Sequence, residues 1–86
     1  MNVLVTGVAG FVGFFVAQRL LADGEVVYGI DNFNDYYDVS LKKARLAKLL
    51  PHPSFSFAPL DLADRDKMTA LFQEQSFDRV IHLAAQ

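Results

Sequence analysis

Val3-Leu4-Val5-Thr6-Gly7-Val8-Ala9-Gly10-Phe11-Val12-Gly13 stands almost at the head of the chain. A short apolar, β-branched run feeds a glycine turn, and the turn opens into a helical pattern. Such a β-turn-α unit builds an anion site, because the free N–H groups and the positive end of the helix dipole face the same point. Each glycine has its own reason. Gly7 lets the chain leave the strand in a tight turn, where positive φ can be required. Gly10 withholds a Cβ from the place where phosphate oxygens approach the backbone, and Gly13 lets the new helix lie close on the sheet. The spacing G-x-x-G-x-x-G is one residue longer in its first interval than the G-x-G-x-x-G fingerprint, and glycine turns without ligands are common.

A second residue sharpens the reading. Val26-Val27-Tyr28-Gly29-Ile30 forms another buried-strand pattern, and Asp31 stands at its end, 18 residues beyond Gly13. An acidic residue roughly 20 positions after the glycines accepts hydrogen bonds from the adenosine ribose of a dinucleotide. Taken singly, Asp31 reads equally as a solvated turn aspartate. With strand, glycine turn, helix and second strand in register, ribose binding is favoured. A carboxylate there repels a 2′-phosphate, and no Arg or Lys lies between Asp31 and Ser40 to offset it. NAD is therefore expected over NADP.

Bulk properties narrow the classes. At 86 residues the chain is one small domain at most, and a hydrophobic share of 52% marks it as globular rather than disordered. A net charge of −2 and a pI near 5.5 argue against a nucleic-acid or anionic-membrane surface. Lys42, Lys43, Arg45 and Lys48 share one helix and read as its solvated face. The absence of cysteine removes disulfides, a thiol nucleophile and thiolate zinc sites, and it suits a reducing, cytoplasmic setting. No basic segment precedes the first apolar run, so a signal peptide is not expected. Val3 to Ala22 is long enough to span a bilayer, but Gln18, Arg19, three glycines and the β-branched start assign it to a strand and a helix.

Strand and helix signals alternate throughout, without linker or repeat. Phe11 to about Asp23 is a helix, with Val12, Val16 and Leu20 recurring at i+4 beside Phe15 as its packing face. Gly24 is its expected C′ residue. Asn32-Phe33-Asn34-Asp35 reads as a loop. Asp38 or Ser40 caps a second helix, with Leu41, Ala44, Ala47 and Leu50 on its apolar side, and Pro51-His52-Pro53 stops it. Phe55-Ser56-Phe57-Ala58 alternates as a third strand leading to Asp61. Asp64 caps a third helix with Met68, Leu71 and Phe72 inward, and Arg79 to Leu83 is the last strand. Alternating units of this length imply an α/β fold, a partial doubly wound parallel sheet of about four strands and three helices in the order 3-2-1-4. Two helices should cover one face and one the other, and the fourth strand should be an apolar edge.

With the glycine turn, Asp31, Asp61-Leu62 and His82-Leu83-Ala84-Ala85 in place, the chain resembles the extended short-chain dehydrogenase/reductase family, over all 86 residues and with the N-terminal part of that family's Rossmann domain. The loop Ile30 to Asp38 looks more narrowly like UDP-glucuronate 4-epimerases. The resemblance implies roles for particular positions. Phe11 and Val12 donate backbone N–H groups to the NAD pyrophosphate behind Gly7, Gly10 and Gly13. Asp31 and Asn32 hold the adenosine ribose, Asp61 accepts from the adenine amino group, and the Leu62 N–H reaches a ring nitrogen. Leu83, Ala84 and Gln86 pass behind the cofactor. It also implies a homodimeric parent that oxidises and re-reduces C4 of a nucleotide sugar.

The family's catalytic pair, Tyr-x-x-x-Lys, is missing: Tyr28 is followed at that spacing by Asn32, Tyr36 by Ser40 and Tyr37 by Leu41. No catalytic residue is therefore assigned, and residues 1–86 are expected to be the N-terminal part of an NAD-binding domain without the catalytic and substrate-binding parts. Alternatives are a non-catalytic dinucleotide-binding module, or part of a dehydratase or reductase. His52 reads as a solvated loop residue, and His82 as a packed, hydrogen-bonded residue ending a buried strand. Tyr36 and Tyr37 suit either a pocket rim or loop packing, and no metal site is suggested.

Overall fold

A computed structural model describes residues 1–32 and 39–83, the side chain of residue 39 excepted. It contains β1 (Asn2–Thr6), α1 (Phe11–Ala22), β2 (Val26–Asp31), α2 (Val39–Leu49), β3 (Phe55–Pro59), α3 (Arg65–Glu74) and β4 (Arg79–His82). The strands form one parallel sheet in the order β3-β2-β1-β4, as the alternation of elements requires. Leu4 of β1 lies opposite Tyr28 on one side and Val80 on the other, and Asp31 lies opposite Pro59.

Side chains alternate across the sheet, so each face carries its own core. Val3, Val5, Val27 and Phe55 pack with Phe14, Ala17 and Leu21 of α1 and with Leu46 and Leu49 of α2. On the opposite face Leu4 and Ile30 pack with Leu60 and with Leu71 of α3. The expected division, two helices against one, holds.

Two helix faces differ from expectation. Gly13, Phe14, Ala17 and Leu21 are the buried residues of α1, while Val12 and Phe15 are more than half exposed. The cause is steric. A Cβ on Gly13 would sit 2.1 Å from the Gly7 carbonyl oxygen, so the glycine–alanine side of the helix is the side that can press against the turn. In α2 the inward residues are Lys42, Leu46 and Leu49, whereas Leu41, Ala44, Ala47 and Leu50 face solvent. The helix is rotated by about one residue, which draws the Lys42 ammonium onto Asp31. Lys42 thus leaves the solvated face expected of it. Ser40 is the second residue of α2 and not its cap, and Asp38 lies outside the described residues.

The termini of α1 and α3 follow their sequence signals. Gly24 takes φ +86° and donates to the Leu21 carbonyl, and Glu25 donates to that of Leu20, the paired bonds of a Schellman end. Asp64 caps α3 by accepting from the Lys67 N–H at 3.1 Å. Within α3, Leu71 is buried and Met68 packs beside it, but Phe72 is half-exposed against the edge of Phe77, 5.6 Å between centroids. Strand β4 is not the buried strand expected around His82: Arg79, Val80 and His82 are exposed, and among the described residues only β1 pairs with it.

Candidate dinucleotide site

The carboxyl ends of β1, β2 and β4 meet where the strand order reverses, the place at which open α/β sheets bind ligands. Gly7 leaves β1 with φ +69°. The Gly7 and Val8 N–H groups both donate to the Ile30 carbonyl, at 2.9 and 3.2 Å, which moors the turn on β2. Gly10 N–H then donates to the Gly7 carbonyl at 3.0 Å, and a Cβ on Gly10 would lie 3.2 Å from that oxygen. Gly10 is also the N-cap of α1. It offers no side-chain cap, and no acidic residue occupies the first turn. Among the described residues, the Phe11, Val12 and Gly13 amides therefore meet no side-chain acceptor from this helix's own cap or first turn, and an anion placed there finds donors.

Asp31 turns toward this loop. Its Oδ2 accepts from the Ala9 N–H at 3.1 Å and its Oδ1 from Lys42 Nζ at 2.9 Å, and only 3% of its side chain is exposed. Asn32 follows at the surface. The backbone carbonyl of Asp31 accepts from Leu60 N–H at 3.0 Å, which brings the end of β3, and with it Asp61 and Leu62, to the same edge. Asp61 is exposed, and its Oδ1 accepts from Ala63 N–H at 2.9 Å in a local turn. Leu62 is half-buried against the α3-side core.

On the other flank, Thr6 Oγ1 lies 2.9 Å from His82 Nδ1 and accepts from Leu83 N–H at 2.9 Å. Leu83 packs against the α1-side core. The hydrogen bond expected of His82 is present, although its residue is exposed. Ala84, Gln86, Tyr36 and Tyr37 lie outside the described residues.

Four participants were not read from the sequence. Lys42 neutralises Asp31, and Arg45 Nη1 donates to the Ala9 carbonyl at 3.1 Å while its guanidinium stands 6.0 Å from the Phe11 ring centroid. Thr6 ties β1 to β4. Gly29 leaves room for Val8, since a Cβ there would lie 2.7 Å from a Val8 methyl. Lys42, Leu46 and Leu49 do share one helical face by spacing, so the lysine's inward position had a signal: a cation on an apolar stripe with a buried acid across from it. No described helix is long and apolar enough to cross a membrane, and no group of metal-ligating residues is found among the described residues.

The sequence profile of the GDP-mannose 4,6 dehydratase family matches residues 4–86. An uncharacterised 37.6 kDa protein of Escherichia coli O111:H- is 61% identical over 80 residues, covering 93% of this chain and 24% of its own length. A UDP-glucuronate 4-epimerase of Thermodesulfobacterium geofontis is 46% identical over 83 residues, covering 96% of this chain and 26% of that protein. Among solved structures, the Bacillus cereus UDP-glucuronic acid 4-epimerase in complex with UDP-glucuronic acid and NAD superposes with a TM-score of 0.84 at 36% identity, over 99% of this chain and 26% of that one. The chain thus spans about a quarter of the length of these relatives.

Proposed function

The chain belongs to the GDP-mannose 4,6 dehydratase family, and from that premise we propose that it is the dinucleotide-gripping part of an NAD-dependent nucleotide-sugar 4-epimerase of the UDP-glucuronate type. The observation that carries the reading is the bond from Ala9 N–H to Asp31 Oδ2, which joins the glycine turn and the acidic strand end into one site. The Bacillus cereus relative, solved with NAD, supports the cofactor, and the UDP-glucuronate 4-epimerases among the relatives support the substrate class.

The chain's own residues then divide the work. The Phe11 and Val12 amides, behind Gly7, Gly10 and Gly13, take the pyrophosphate, because they stand at an uncapped helix start. Asp31 and Asn32 hold the adenosine ribose. Asp61 and the Leu62 N–H address the adenine, and Leu83, Ala84 and Gln86 form the wall behind the cofactor. Bound there, NAD supplies a hydride acceptor and donor for transient oxidation at the sugar C4. This stretch orients the dinucleotide and contributes no Tyr-x-x-x-Lys pair, so the 86 residues alone give no turnover. The sugar pocket, proton transfer and the contacts of a homodimer belong to the remainder of a longer parent.

In the full-length protein Asp31→Ala should weaken NAD binding about tenfold or more by calorimetry, since a buried acceptor of the ribose is lost and Lys42 stays behind without it. Unchanged affinity would remove Asp31 from the site. Incubation with UDP-glucuronate, followed by NMR of the sugar protons, should show UDP-galacturonate. The second reading, a dehydratase parent, is favoured by the name of the matching family and predicts a deoxy-keto sugar in the same spectrum.

A further inference from the structure

We propose that Arg45 is the positioning residue of the diphosphate cradle. Reaching over from α2, it fixes the start of α1 as a capping side chain fixes other helices, but without consuming the amides there. The proposal deepens the dinucleotide reading above and rests on it. An ordinary N-cap serine or aspartate accepts from the second or third amide of its helix. In α1 those amides belong to Val12 and Gly13, so such a cap would occupy donors that an anion needs. Gly10 supplies no capping side chain, and glycine is the residue whose backbone is least restrained by itself. The turn has to be fixed from outside.

Arg45 reaches it on both sides of Gly10. Its Nη1 donates to the Ala9 carbonyl at 3.1 Å, before the cap, and its guanidinium carbon stands 6.0 Å from the Phe11 ring centroid, after it. Phe11 in turn meets the Phe15 ring edge to face at 5.1 Å, one helical turn on. Ala9 is fully buried, so its carbonyl has no recourse to water and must find a donor in the protein. Within the helix, the amides that such a carbonyl can take lie three or four residues on, and here they are Val12 and Gly13. By engaging the Ala9 carbonyl, Arg45 keeps it from closing onto its own helix and leaves those N–H groups to an anion. Leu46 and Leu49 hold α2 in the core at 5% and 2% exposed, so the arginine is carried by a well-packed element. The other side of the Ala9–Gly10 peptide is held too, since Gly10 N–H donates to the Gly7 carbonyl at 3.0 Å.

The test is calorimetric titration of the full-length protein with NAD, ADP and adenosine, using wild type, Arg45→Met and Arg45→Lys. Each titration is run at about 0.1 M and about 1 M KCl, the second screening charges beyond roughly 3 Å. Arg45→Met should weaken NAD and ADP about tenfold at both salt concentrations, and leave adenosine, which carries no phosphate, within about twofold of wild type. Arg45→Lys should fall between the two, because an ammonium can donate to the carbonyl but has no planar face for Phe11. Equal weakening of ADP and adenosine would mark a general loss of structure and overturn the proposal. A loss seen only at low salt would mark a remote charge and overturn it too. If Arg45→Met fails to fold, Arg45→Lys decides, and wild-type affinity for ADP in that variant overturns the proposal. Unchanged NAD affinity in Arg45→Met overturns it while leaving the cofactor reading intact. Wild type that binds neither NAD nor ADP overturns the cofactor reading, and this proposal with it.

Discussion

Gly29 shows how closely the glycine turn is fitted to the strand beneath it. It stands in β2, where a glycine costs backbone entropy and offers no side chain to the core. Its value lies in what it omits: an added Cβ would meet three Val8 side-chain atoms between 2.7 and 2.9 Å. Val8 is itself fully buried and donates its N–H to the neighbouring Ile30 carbonyl, so it cannot swing aside without unmooring the turn. Gly29→Ala should therefore cost about 1–3 kcal/mol in denaturant unfolding. The cost should fall in a Val8→Ala background, where the two methyl contacts are gone and only the Val8 Cβ at 2.9 Å remains, giving a coupling of about 1 kcal/mol in the double-mutant cycle. Strict additivity of the two changes would show that the strand glycine serves some purpose other than seating Val8. Gly13 is more severe in kind, because its neighbours are backbone atoms of Gly7 and Val8, which have no rotamer to change.

At the scale of the element, the strands, the glycine turn, Asp31 and the marked ends of α1 and α3 were legible because each is dictated locally. Alternation, β-branching, a cap and a C′ glycine act within a few residues of where they are read. The Gly24 end of α1 can be tested in that spirit. Its φ of +86° is adopted with nothing within 4 Å of an added Cβ, so the requirement is conformational and not steric. Gly24→Ala should cost about 1–2 kcal/mol, and Gly24→Asn distinctly less, because asparagine visits the left-handed region more readily. Equal costs in thermal unfolding would point to a lost contact instead of backbone strain. The inward faces of α1 and α2 were not legible for the complementary reason. Phe11-Val12-Gly13-Phe14-Phe15-Val16-Ala17 is apolar all round, so periodicity alone cannot choose a face, and the choice falls to the closest approach permitted by Gly13. Helix α2 offers two rival stripes. The one with a lysine wins, because Asp31, 11 residues earlier in the chain, supplies a buried partner for it.

At the scale of the molecule, the unevenness of the two sheet faces has a consequence for solution behaviour. Helices α1 and α2 share one face, but α3 alone serves the other, and β4 has a described neighbour only in β1. Val80 on that edge is 49% exposed, and Phe72 of α3 is 47% exposed. An unpaired strand edge offers a row of N–H and C=O groups to any other chain, and apolar side chains along it strengthen the attraction. The isolated 86-residue chain should therefore associate, with a sedimentation coefficient that rises with concentration in the micromolar range. Val80→Lys places a charge on the edge without touching β2, the glycine turn or Asp31, and lysines on edge strands are a natural defence against such pairing. It should hold the chain monomeric over a wider range of concentration while leaving its far-ultraviolet circular dichroism unchanged. If Val80→Lys leaves association as strong as before, the contact lies elsewhere. The next surface to change is then the exposed Phe11, Val12 and Phe15 on α1, which are 65%, 57% and 53% exposed and lie on the face that the glycine–alanine side left outward.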